Sequence, residues 1–453
     1  MTTKARAAPQ TGDLLELDIG EVVHGGWCVS RQDDTGWVIF VRHALPAERV
    51  VARITQVTSR FARADAVRVL VPAADRVLAP CPYAHPGGCG GCDWQHVSLT
   101  GQRALKASVI RQQLKRLAGL DLDVAVEPLA GDADGLGWRT SVSFAVDDHG
   151  MPGLRRHRSH EIIQVDRCLI AHPLVTEAAV TAREWPGAQA VQVSVIPETN
   201  ERGVLVTTPS RPVPDQFADV AADSVLVAGA RRTRLPLRGR GYLTHRAAGR
   251  AWQVSLGGFW QVHPGAADTL ATAVLAALDP AEGASALDLY CGAGLFAGVL
   301  AEAVGPSGHV TAIEEDAAAV RDARHNLRQW KWARAYQGDV AQVLRRGSGL
   351  ADATLVVLDP PRTGVARPVI DLLCGSGPVA AAGMGKRRRM AYVSCDPATL
   401  ARDLRLLLEG GWRLDGLRAF DAFPMTHHVE CLAALSRDGA ARVSAAQPRS
   451  SSG

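Results

Sequence analysis

Cys395 stands where an apolar run gives out. Met390–Val393 reads as a short buried strand, Ser394-Cys395-Asp396-Pro397 as a turn, and Ala398 to Leu408 as a helix with Leu400, Leu404, Leu407 and Leu408 on one face. A thiol at a strand-to-helix turn, beside a helix N-terminus, sits where the thiolate is favoured and can act as a nucleophile. Taken alone, a cysteine is more often a small core residue. The rest of the chain has to decide between the two.

A second group of cysteines has metal-ligand spacing. Cys81, Cys89 and Cys92 fall within twelve residues, the last two as C-x-x-C among glycines that let the backbone fold the thiols toward one centre. A fourth ligand is needed, and Cys168 in Val165-Asp166-Arg167-Cys168 is the nearest candidate. Four thiolates suit either a structural zinc or an iron–sulfur cluster, and spacing does not separate them. The context does not match a thioredoxin-like redox pair.

A third set is built for a nucleoside. Ala286–Tyr290 reads as a strand, Cys291-Gly292-Ala293-Gly294 as a tight turn and Leu295–Val304 as a helix; His309–Ile313 is the next strand, ending in Glu314. Glycines there let the backbone approach a ligand, and an acid at the end of the second strand accepts from both ribose hydroxyls. Phe296-Ala297 occupies the place of the third glycine of G-x-G-x-x-G, which counts against a dinucleotide and leaves room for S-adenosylmethionine. Asp339 stands where an acid could bond the adenine amino group. Asp359-Pro360-Pro361 closes a third strand, Leu355–Leu358, with its carboxylate at the same sheet edge. Arg362 follows, where enzymes that methylate exocyclic amines usually carry an aromatic residue, so an amine target is disfavoured.

These groups need a scaffold, and 453 residues suffice for two to four domains. Residues 1–12 and 437–453 read as disordered tails. Short alternating strands over 13–75, with basic residues interleaved, suggest a small β-barrel of the oligonucleotide-binding sort. Residues 76–254 read as a mixed α+β central domain holding the cysteine group and a basic helix over 100–118. Residues 255–436 alternate strand and helix, the pattern of a doubly wound α/β sheet. The net charge is only +4, but basic residues cluster at Arg103–Arg116, Arg155–Arg158, Arg231–Arg250 and Lys386–Arg389, which suits a polyanion partner. No apolar run is long enough to span a membrane and the N-terminus has no apolar signal core, so a cytoplasmic location is expected. No obligate protein partner is implied.

In Phe259-Trp-Gln261-Val262, Asp288-Leu-Tyr290-Cys-Gly292-Ala-Gly294, Asp359-Pro-Pro-Arg362-Thr-Gly364, Ser394-Cys395-Asp396-Pro397-Ala398-Thr399-Leu400 and His428-Val-Glu430 the chain resembles the S-adenosylmethionine-dependent RNA uracil-C5 methyltransferases of tRNA and 23S ribosomal RNA. The resemblance implies a class I, Rossmann-like methyltransferase domain, a TRAM barrel at the N-terminus and a [4Fe-4S] cluster, in preference to zinc, on Cys81, Cys89, Cys92 and Cys168. It implies Cys395 as the nucleophile that adds to C6 of uracil, Glu430 as the base that removes the C5 proton, and Gln261, Tyr290, Glu314 and Asp359, with Gly292 and Gly294, as cofactor contacts. An RNA uridine that is flipped out or lies in a loop would be the substrate. One departure is Asp396, where the family usually has Asn. It puts a negative charge beside the nucleophile, which opposes thiolate formation unless the carboxylate points away or pairs with Arg402. The other readings of the chain are an iron–sulfur redox enzyme and a non-catalytic RNA-binding protein.

Overall fold

The computed structural model describes residues 8–32, 36–131, 133–210, 217, 219–230, 233–347, 349–375 and 386–439. Of the expected tails, 1–7 and 440–453 lie outside the described residues. Gly12 is already tied in, its N–H donating to Ile54 O at 2.9 Å. The chain divides into two compact units. The first is Met1–Thr272 with Ser394–Arg402 and Arg418–Cys431; the second is Ala273–Val393 with Asp403–Leu417 and Leu432–Gly453.

The first unit opens with β1 (Leu14–Asp18), β2 (Val22–Val23), β3 (Trp27–Arg31), β4 (Val38–Arg42), β5 (Arg49–Val57) and β6 (Phe61–Val71). They form one sheet in the order β1-β5-β6-β4-β3-β2, antiparallel except for the parallel pair β4–β6. Alternation drives it: Val50, Ala52 and Ile54 of β5 are buried while Arg49 and Arg53 face solvent. Those residues pack with Leu17, Ile39 and Val41, and with Trp94 and Val109 from beyond the sheet. Val109 lies on α1 (Leu99–Gln113), whose N-cap Ser98 accepts from Gly101 N and which continues as a π turn to Ala118. The helix expected over 100–118 is therefore present.

After β7 (Val126–Pro128) come β8 (Ser141–Val146), β9 (Pro152–Arg155), β10 (Ile162–Ile163), α2 (Pro173–Glu177), β11 (Ala190–Ile196), β12 (Glu201–Thr207), β13 (Ser224–Ala228) and β14 (Arg234–Arg238). Strands β8–β14 make a mixed seven-stranded sheet, β10-β9-β8-β11-β12-β13-β14, with Trp185, Phe144, Val191 and Val193 in its core. A hairpin, β15 (Tyr242–Ala247) and β16 (Arg250–Ser255), precedes α3 (Ala266–Leu278).

The second unit runs β17 (Ser285–Leu289), α4 (Leu295–Val304), β18 (His309–Glu314), α5 (Ala317–Leu327), β19 (Ala333–Gln337), α6 (Val340–Arg345), β20 (Leu355–Leu358), α7 (Arg367–Leu373) and β21 (Arg388–Ser394). The helix Pro397–Glu409, β22 (Arg413–Asp421) and β23 (Glu430–Arg437) follow. The sheet order β19-β18-β17-β20-β21-β23-β22 is parallel through β21. Strand order reverses between β18 and β20 about β17, which makes that edge the topological switch point where α/β sheets bind ligands. The near-continuous burial of β17 and β20 is what a parallel sheet covered on both faces requires.

Candidate active site

Within the first unit, Cys395 is half-buried in an open pocket lined by His24 and Gly26 from the β2–β3 turn, Val109 of α1, and Asp396, His427 and His428. Asp396 is doubly used. Its Oδ1 accepts from Ala398 N and Thr399 N at 3.0 and 2.9 Å, capping the helix that begins at Pro397, and its Oδ2 lies 3.0 Å from His24 Nε2. Burial alone would raise this carboxyl, but the bonds from His24 and Thr399 outweigh it and hold Asp396 down to about 2. The charge beside the expected nucleophile is thus anchored to His24 and to a helix N-terminus.

Glu430 is buried, 3 % exposed, and Cys431 beside it is fully buried. Burial pushes the Cys431 thiol up, and the charges of Glu430, Cys395 and Asp396 push it further, so the expected nucleophile and base share one electrostatic neighbourhood. The loop before Glu430 is held rigidly. His427 Nδ1 bonds Asp93 at 2.6 Å, and Met425, at φ 66°, receives Asp93 N and Trp94 N on its carbonyl. Gln102 of α1 accepts from Met425 N at 2.7 Å, and Lys106 reaches Asp421 at 2.5 Å and Phe423 O at 3.0 Å. Both side chains of the Lys106–Asp421 pair are fully buried.

In the second unit the switch point carries the expected cofactor residues. Tyr290 takes φ 67°, Gly292 53° and Gly294 89°, so the turn after β17 doubles back sharply enough to expose backbone. Glu314 accepts from Gly292 N at 3.0 Å through one oxygen, and from Glu315 N and Asp316 N through the other. It therefore braces the glycine turn, with lone pairs to spare for hydroxyls. Burial, reinforced by Glu314, raises the Asp359 carboxyl to about 7, and burial pushes Tyr290 up to about 12. Asp339 is exposed, and its Oδ1 accepts from Gln342 N as the cap of α6. Gln261 belongs to the first unit, where it is buried. Asp288, within the apolar run of β17, escaped notice as a site residue. Burial raises its carboxyl to about 8; Oδ2 accepts from Ala297 N at 2.7 Å, while Oδ1 is buried without a hydrogen-bond partner among the described residues. An orphaned polar atom beside a positive-φ glycine turn fits a polar ligand such as the S-adenosylmethionine amino-acid moiety.

Among the described residues no group of three or more His, Cys, Asp or Glu has metal-holding geometry. Cys81, Cys89, Cys92 and Cys168 nevertheless act on one another: burial raises Cys89 to about 11 and raises Cys92 as well, and Cys168 and Cys81 push both further. Each of three sulfurs also receives N–H groups, from Gly91 at 3.4 Å on Cys89, from Gln95 at 3.3 Å on Cys92, and from Ala171 and Ile170 on Cys168. An all-thiol set with N–H donors on sulfur matches the donor chemistry of an iron–sulfur cluster.

The basic clusters are largely spent internally. In α1 and its continuation, Arg103 and Lys106 bond Asp421, and Arg111 and Lys115 bond Asp121. Lys386 and Arg389 pair with Asp352 and Asp279, Arg388 is buried, and Arg156 pairs with Glu161. Arg231 and Arg232 lie outside the described residues. The basic feature that linear scanning missed is a group around Trp27, drawn from three separate segments: Arg42, Arg63 and Arg158.

A family model described as tRNA (uracil-5-)-methyltransferase matches residues 348–438, and a methyltransferase small-domain model matches 264–365. An uncharacterized RNA methyltransferase of Streptomyces coelicolor is 48 % identical, covering 94 % of this chain and 93 % of its own length. A second from Streptomyces avermitilis is 47 % identical over 94 % and 98 %, and one from Bifidobacterium longum 36 % over 96 % and 100 %. The fold is similar to that of Pyrococcus abyssi tRNA (uracil-54, C5)-methyltransferase, solved with S-adenosyl-L-homocysteine, at a TM-score of 0.68 and 22 % identity, covering 93 % of this chain and all of that one.

Proposed function

Since the chain belongs to a family of RNA methyltransferases and matches a tRNA (uracil-5-)-methyltransferase model over residues 348–438, we propose that it methylates C5 of a specific uridine in ribosomal or transfer RNA through a covalent Cys395 adduct. The observation that carries this reading is the half-buried Cys395 lining a pocket with Asp396, His427 and His428, the last of them two residues before the buried Glu430. C5 of uracil is a poor nucleophile. Cys395 adds as thiolate to C6, which places carbanion character on C5. When bound, S-adenosylmethionine supplies the electrophilic methyl group. Glu430 then takes the C5 proton, the C6–S bond breaks, and Cys395 leaves as thiolate. Burial of Glu430 keeps competing water away from that transfer. Gln261, Tyr290, Gly292, Gly294, Glu314, Asp339 and Asp359 hold the cofactor, Glu314 taking the ribose hydroxyls.

A duplex hides C6 in its stack, so the target uridine is flipped or already in a loop. In this reading residues 13–75 are a TRAM-like RNA-binding module, 76–254 a central domain whose Cys81, Cys89, Cys92 and Cys168 hold a [4Fe-4S] cluster in a structural role, and 255–436 the methyltransferase domain. The enzyme acts in the cytoplasm. The test incubates the full-length protein with labelled S-adenosylmethionine and unmodified total RNA and resolves the nucleosides. Label in 5-methyluridine is expected; label in any other nucleoside, with none in 5-methyluridine, overturns the proposal.

A further inference from the structure

Three guanidinium groups surround one indole in the first unit. The Cζ atoms of Arg42, Arg63 and Arg158 lie 5.9, 5.6 and 5.5 Å from the Trp27 ring centroid. They come from the end of β4, from β6 and from the loop after β9, so no short-range pattern assembles them. His157 meets the same ring edge-on at 5.9 Å; burial lowers it to about 4, so it is neutral at pH 7 and adds no charge.

The positive charge there is poorly answered by the protein. Arg42 meets Asp93 at 3.5 Å, a carboxylate that His427 also holds. Arg63 donates to the neutral Gln56, and the nearby charge of Arg158 adds to burial in lowering it. Arg158 is exposed, sits at φ 52°, and has no carboxylate partner among the described residues. Asp65 lies near Arg42; burial raises its carboxyl, and the charges of Arg42 and Arg156 lower it, so Asp65 is shared between those two arginines and does not answer Arg63 or Arg158. Like charges held around one ring, two of them with no carboxylate partner among the described residues, call for an external anion. The ring itself is 6 % exposed, so it serves as a platform that fixes the guanidinium planes rather than as a stacking surface for a base.

The group also adjoins the nucleophile. Gly25 and Gly26 line the Cys395 pocket, and Trp27 is the next residue; a Cβ on Gly25 would lie 3.3 Å from the Trp27 ring, so the turn is packed directly against it. We propose that Arg42, Arg63 and Arg158 form a guanidinium collar on Trp27 that holds a backbone phosphate of the RNA beside the nucleotide being methylated. This rests on the RNA methyltransferase reading above. Planar forks held at fixed orientation suit the oxygens of a phosphodiester, and the contact positions the strand without reading its sequence.

The test compares wild-type protein with Arg63→Gln, Arg158→Gln and the double variant, measuring Kd for unmodified RNA over a series of KCl concentrations. Each single change is expected to raise Kd about fivefold to tenfold and to flatten the slope of log K against log salt by about 0.7, with 5-methyluridine formation at saturating RNA retained. Arg49→Gln, whose guanidinium is paired with Glu16 on the same sheet, serves as the control and should leave the slope unchanged. Arg158→Gln alters only an exposed side chain, so it reports even if the Arg63 variant folds poorly. If the double variant keeps wild-type Kd and slope while the wild type still forms 5-methyluridine, the collar is packing only and the proposal falls. If the wild type forms no 5-methyluridine yet the slopes flatten, the collar stands and the catalytic reading falls. A neutral methylphosphonate beside the target uridine should weaken wild-type binding and leave the double variant unaffected; equal losses in both place the phosphate elsewhere and overturn its location.

Discussion

His24 Nε2 lies 3.0 Å from Asp396 Oδ2, across 372 residues of chain, and so brings the first sheet of the protein to the residue next to Cys395, the proposed nucleophile. From the sequence alone, this carboxylate opposes thiolate formation unless it points away or pairs with Arg402. The carboxylate has two roles, as the cap of the helix that begins at Pro397 and as the partner of the His24 imidazole.

His24→Ala should therefore lower the single-turnover rate of methylation about tenfold, by leaving the Asp396 charge less compensated beside a thiolate. Adding Asp396→Asn to that variant should recover most of the loss, because the charge that His24 answers is gone. A double variant no faster than His24→Ala would mean that His24 acts by some route other than Asp396.

The same pair has a pH signature in stability. The folded-state value of Asp396, about 2, is below its ordinary 3.8, so its contribution is fully present above 3.8 and is lost as pH falls through about 2. Urea unfolding of wild type and Asp396→Asn should differ by about 1–2 kcal/mol at pH 5, with the gap closing between pH 4 and 2. A gap that widens on acidification would contradict the assignment.

Lys106 and Asp421 form an ion pair with both side chains fully buried, and Arg103 adds a second contact. Removing one partner strands a buried charge, so Lys106→Ala should cost about 3–5 kcal/mol in the urea transition of the first unit. Lys106→Met with Asp421→Leu should cost less, since it leaves no fully buried charge behind, the Arg103 guanidinium that also meets Asp421 being 23 % exposed. Equal losses for both variants would point to packing as the main contribution.

The roles of Cys395 and Glu430 separate in a covalent-trapping experiment. Cys395→Ala should abolish the denaturant-stable adduct with 5-fluorouridine RNA, whereas Glu430→Gln should accumulate a methylated protein–RNA complex from ordinary RNA, because elimination waits on proton removal. Free release of product by Glu430→Gln at the wild-type rate would remove that residue from the mechanism.

Local patterns decided a good deal. Alternation, turn chemistry and helical periodicity placed α4 at Leu295–Val304, β20 at Leu355–Leu358 and the helix after Cys395 within a residue or so, because each depends on neighbours in the chain. The glycine turn, Glu314 and Asp359 were legible for the same reason: parallel strands bring their C-terminal ends to one edge. Linear order carried no such information about partners. Lys106 belonged to a basic stripe by sequence and became one half of a buried pair when α1 met the segment around Asp421. Arg42, Arg63 and Arg158 belonged to no common stretch and became a single charged group when β4, β6 and the loop after β9 met at Trp27. The sequence by itself determined which residues could do chemistry. Tertiary structure decided which charges are answered within the protein, because screening and pairing act over ångströms of space and not over positions in the chain.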